Sequence, residues 1–75
     1  DGIRDVLNQT RGVHKVNEVL TMHMGPDYIL VNLSVEFSDH MRTSNLELLV
    51  SQIDREIKAK YKYVKRIFIE AESTL

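Results

Sequence analysis

The residues best suited to chemistry are oxygen and imidazole donors, gathered in three runs: His14 and Asn17; Glu36, Asp39 and His40; Glu70 and Glu72. Carboxylates, an amide and one or two imidazoles can hold a divalent cation. His14, Asn17, His40, Glu70 and Glu72 are therefore candidate metal ligands. His23 lies apart from them and reads as a surface histidine. The chain has no cysteine, which removes disulfide frameworks, CxxC metal or redox sites and thiol catalysis together. No Ser-His-acid arrangement stands out, and the three glycines are too scattered for a phosphate-cradling loop. The chain is not expected to be an enzyme.

For those donors to meet, the segments carrying them must end at one edge of a sheet. Tyr28–Phe37 alternates: Ile29, Val31, Leu33, Val35 and Phe37 fall on one face, and Tyr28, Leu30, Asn32, Ser34 and Glu36 on the other. That is a half-buried strand. Val16–Met24 reads as its hairpin partner across the Gly25-Pro26-Asp27 turn. Leu20, Met22 and Met24 share one of its faces, and Asn17, Val19, Thr21 and His23 the other. Ile3–Gln9 reads as a short helix stopped at Gly12. A longer helix is expected over Asn45–Tyr61, with an apolar stripe of Leu46, Leu49, Val50, Ile53 and Ile57. Ser44 and Glu47 match a capping box at its start. Val64–Ala71 reads as a third strand, with Ile67, Ile69 and Ala71 facing in.

The order is αββαβ. The helical crossover returns the third strand parallel to the second, and the first strand is expected in the middle, antiparallel to both. The fold class is α/β (α+β): a ferredoxin-like open-faced sandwich, a three-stranded sheet with two helices on one face. Val19, Tyr28, Leu30 and Phe68 are expected on the uncovered face as a candidate interface. Asn17, Glu36, Glu70 and Glu72 are expected at the end of that face away from the turn.

With 75 residues, residues 1–75 read as a single small domain that gains from burying surface in a partner. The net charge of −1 supplies no basic excess for nucleic acid. The basic group from Arg55 to Arg66 is interspersed with acids; it reads as a solvated helix face or as a weak contact for acidic headgroups or an acidic partner. No apolar run approaches the ~20 residues that span a bilayer. The start at Asp1-Gly2, without a signal peptide or methionine, fits a piece cut from a longer protein.

The chain resembles the C-terminal cytoplasmic domain of cation diffusion facilitator (cation efflux) transporters. The matching residues are Gly12-Val13-His14-Lys15-Val16-Asn17-Glu18-Val19, Gly25-Pro26-Asp27-Tyr28, the alternating strand to Phe37, the helix with Gln52-Ile53, and Val64 to Glu72. The resemblance implies an αββαβ homodimer, covalently attached to a membrane-embedded antiporter that exports zinc, iron or manganese in exchange for protons. It places the domain on the cytoplasmic side of a cell membrane, with bound divalent metal (Zn, Mn or Fe) drawing the dimer closed. The family's histidine positions fall at Asn17, near Leu33, near Glu47 and at Glu70, with the acidic position at Glu72. Glu47 thereby joins the candidate ligands. An oxygen-rich set suits harder ions than zinc, or no metal at all. The alternatives are a constitutive dimerisation platform of the same family without metal regulation, or a free-standing ferredoxin-like small-ligand sensor.

Overall fold

The computed structural model describes residues 2–38 and 41–72. The elements are α1 (Gly2–Asn8), β1 (Val13–Gly25), β2 (Tyr28–Phe37), α2 (Thr43–Lys60) and β3 (Val64–Glu72). β2 has the bounds its alternation predicts. Among the described residues they form the expected open-faced αββαβ sandwich.

The strand order is β1-β2-β3, so β2, not β1, is central. β1 pairs with β2 antiparallel through the hairpin, and β3 pairs with β2 in parallel. The crossover through α2 returns the chain to the free edge of β2, leaving β1 as an edge. The burial of β2 agrees: Val31, Leu33 and Val35 are buried on the helix side, and Ser34 is buried even on the opposite side.

Ile3 and Leu7 of α1, Val16 of β1, Val31, Leu33 and Val35 of β2, Leu49, Ile53 and Ile57 of α2 and Val64 of β3 make the core. Burying a side chain of this size contributes about 1.5–3 kcal/mol over leaving it exposed. The stripe on α2 is as expected, with Leu46 and Val50 half-buried at its margins. Its start is not. The helix begins at Thr43 with Arg42 in the N-cap position, extended and without a side-chain cap. The Leu46 amide already donates to the Arg42 carbonyl, which places Ser44 and Glu47 inside the helix, where they cannot form the expected capping box.

The third correction concerns the facing of β1. Its register against β2 shifts at three places, leaving His14, Asn17 and Met24 without a facing partner. Each is a bulge, and a bulge reverses the phase of the residues beyond it. After Asn17, Val19 joins Val16 against the core. Leu20 and Met22 pass to the open face, where they were expected to be inward.

Gly12 joins α1 to β1 at φ +99°, a left-handed conformation suited to glycine. Its carbonyl accepts from the Ser38 amide, 2.8 Å away, and fastens that turn to the end of β2.

Candidate functional site: the open face of the sheet

Both helices pack on one side of the sheet, so the other side carries whatever the strands display. Three rows cross it: Glu18–Ser34–Glu70, Leu20–Asn32–Phe68 and Met22–Leu30–Arg66. Beyond the first row lie Lys15, Glu36 and Glu72. The face is therefore divided. The end towards the hairpin is apolar; the other end carries Glu18, Glu36, Glu70 and Glu72 against Lys15.

The apolar half is well exposed, with Leu20 at 48%, Met22 at 44% and Phe68 at 48%. The Arg66 guanidinium lies 5.3 Å from the Phe68 ring centroid, a cation–π contact that leaves charge beside the apolar surface. A shallow depression of about 290 Å³ lies where the halves meet, between Leu20, Asn32 and Phe68 and the carboxylates of Glu18 and Glu70. Another, of about 370 Å³, is lined by Met24, Tyr28, Leu30, Arg66 and Phe68.

At the acidic end the Ser34 hydroxyl donates to the Glu72 carboxylate. Ser34 is only 8% exposed, so this bond satisfies a buried hydroxyl and holds Glu72 toward the central strand.

The candidate ligands are not all together. Glu70 and Glu72 share β3 and the open face. Asn17 sits in the β1 bulge, exposed, and Glu18 takes the place expected for it beside Ser34. His14 is exposed in the first bulge. Glu47 is exposed on α2, in the layer on the far side of the sheet. Leu33 faces the core. His40, with Asp39, lies outside the described residues. Among the described residues, no three His, Cys, Asp or Glu groups converge so as to hold one metal ion.

Ser34 and Glu18 belong to the site and were not among the candidate ligands. Ser34 was legible, since it shares the phase of Glu36. Glu18 was not, because its facing depends on the bulge at Asn17.

The family described as cation efflux protein, cytoplasmic domain, matches the chain over residues 1–74. Solved structures of substituted MamM C-terminal domains share the fold. A nickel form superposes with a TM-score of 0.83 at 14% identity, covering 97% of this chain and 91% of that one. A manganese form has a TM-score of 0.82 at 11% identity, covering 96% and 90%. A cadmium form has a TM-score of 0.83 at 12% identity, covering 97% and 90%. No curated protein matches the chain significantly.

Proposed function

We propose a role for this chain, which belongs to the cytoplasmic-domain family of cation efflux proteins, as the homodimerisation and regulatory domain of a divalent cation/proton antiporter. Residues 1–75 act as one domain. It is carried on the cytoplasmic side of the membrane by a covalently attached transmembrane part, through which the transported cation passes.

The observation that supports this best is the apolar half of the open face. Leu20, Met22, Leu30 and Phe68 lie side by side across all three strands with no helix over them. Contiguous apolar surface of this kind favours a protein partner, and a second copy is the partner a symmetric interface supplies. Dimerisation holds two transmembrane parts in register, so a change in the packing of the two domains alters both transport units together.

The residues present do not make a zinc site within one chain. Zinc favours nitrogen and sulfur donors in tight tetrahedra, whereas the described donors at this end are the carboxylates of Glu18, Glu36, Glu70 and Glu72, and Glu72 already accepts from Ser34. The role proposed here therefore does not pass through a metal held by a single chain. The metal-closed dimer is the second reading. It is favoured by Glu18, Glu36, Glu70 and Glu72, which the strand register sets at one end of the face and which supply oxygen donors to a cation shared between two copies.

Sedimentation equilibrium of the 75-residue chain tests the proposal. A dimer is expected, dissociating in the Leu20→Glu, Phe68→Glu variant with its circular dichroism retained. A folded wild-type monomer, or a variant that stays fully dimeric, overturns it.

A further inference from the structure

The end of the molecule opposite the carboxylates has a chemistry that dimerisation leaves unused. The β1–β2 hairpin, the α2–β3 connection and the start of α1 meet there. The Ile29 amide donates to the Tyr63 carbonyl at 2.7 Å, and the Val64 amide to the Tyr61 carbonyl at 3.0 Å. Gly2 lies so close to the Tyr61 side chain that a Cβ would overlap its hydroxyl.

Three cations surround this tip: Lys60, Lys62 and Lys65, all exposed. The Lys62 ammonium lies 5.0 Å from the Tyr63 ring centroid. Tyr63 is 40% exposed, and Met24, on the hairpin, is 64% exposed. Asp27, in the turn, and Glu56, one helical turn before Lys60, are acids of this region. The neighbouring Lys58 is already paired with Asp54 at 3.0 Å. Thr21 and His23 face the helix side yet are exposed, so the hairpin reaches past the helical layer.

We infer that this tip docks on an anionic lipid surface. Clustered lysines are drawn to anionic headgroups, and aromatic rings with a polar tip settle at headgroup level. Charge complementarity selects this occupant over an apolar one. The inference rests on the proposed function in one respect, the presence of a membrane beside the domain. Docking orients the acidic end of the sheet away from the bilayer, toward the aqueous phase.

The test is co-sedimentation of the 75-residue chain, at low ionic strength, with phosphatidylcholine vesicles that contain or lack phosphatidylserine. Binding is expected only to the anionic vesicles, weakened by salt, and reduced about tenfold or more in Lys62→Glu, Lys65→Glu. Sedimentation equilibrium is run in parallel and is expected to be unchanged by that variant. Equal binding to both vesicles, no binding to either, or an unaffected variant overturns the inference. So does salt-sensitive self-association through these lysines without vesicle binding, which would assign the tip to the acidic end of another copy. A monomer that still binds anionic vesicles through these lysines would remove the dimer and leave the lipid dock standing.

Discussion

Val16 and Val19, three positions apart on β1, both turn toward the helices because Asn17 occupies a bulge between them. The Arg4 guanidinium donates to the Val16 carbonyl at 3.1 Å and ties α1 to the strand beside that bulge. The bulge makes the site: it sends Glu18, Leu20 and Met22 to the open face. Inserting an alanine beside Asn17 exchanges the faces of all that follows, whereas deleting Asn17, the unpaired residue, restores strict alternation with those faces kept. The insertion is expected to lower the unfolding free energy by more than ~2 kcal/mol, whereas Asn17→Ala, at an exposed position, stays within ~0.5 kcal/mol. Urea denaturation of both variants measures this; equal losses would mean the bulge does not set the phase.

Gly12 carries a second local constraint. A Cβ added there lies 2.8 Å from Leu49 Cδ2, at a φ that side chains rarely adopt. Gly12→Ala is expected to cost about 1–3 kcal/mol and to lower the thermal midpoint. A variant as stable as the parent would contradict this backbone geometry.

On α2 the cost of truncation should follow the stripe, not hydrophobicity. Ile53 is fully buried and Leu48 is 69% exposed. Ile53→Ala is expected to destabilise by about 2–5 kcal/mol, and Leu48→Ala by under ~0.5 kcal/mol. A comparable cost at Leu48 in the monomeric variant background would place the helix in a different rotation.

The bond from Ser34 to Glu72 is open to a double-mutant cycle. Ser34→Ala and Glu72→Gln should each destabilise by roughly 0.5–2 kcal/mol, with a coupling energy above ~0.5 kcal/mol. Additive effects would show that the hydroxyl and carboxylate do not act together.

Metal closure is read by calorimetric titration with Zn²⁺, Mn²⁺ and Fe²⁺, paired with small-angle scattering. If the second reading holds, saturable binding accompanies compaction, and Glu70→Gln, Glu72→Gln loses both. Compaction that survives in that double variant would place the cation elsewhere; a dimer unchanged by metal and chelator leaves the constitutive platform.

Much of this protein is legible along the chain. Alternation from Tyr28 to Phe37 specifies a strand, its bounds and both faces, because a side-chain period of two is a local property. The spacing of Leu49, Ile53 and Ile57 likewise specifies the buried side of α2, since 3.6 residues per turn is set by the backbone. Glu70 and Glu72 are readable as face-sharing carboxylates for the same reason.

What tertiary structure decided is everything that depends on a partner segment. Whether β1 or β2 is central turns on which edge receives β3 after the crossover, a contact between residues far apart in the chain. The bulge at Asn17 exists only relative to the β2 register, so the facing of Glu18, Leu20 and Met22 cannot be counted off β1 alone. The absent cap at Ser44 has a similar origin, since α2 starts earlier than its own residues signal. The separation of Glu47 from Glu70 follows from layering: helix and open face lie on opposite sides of one sheet, a relation that spacing along the chain does not contain.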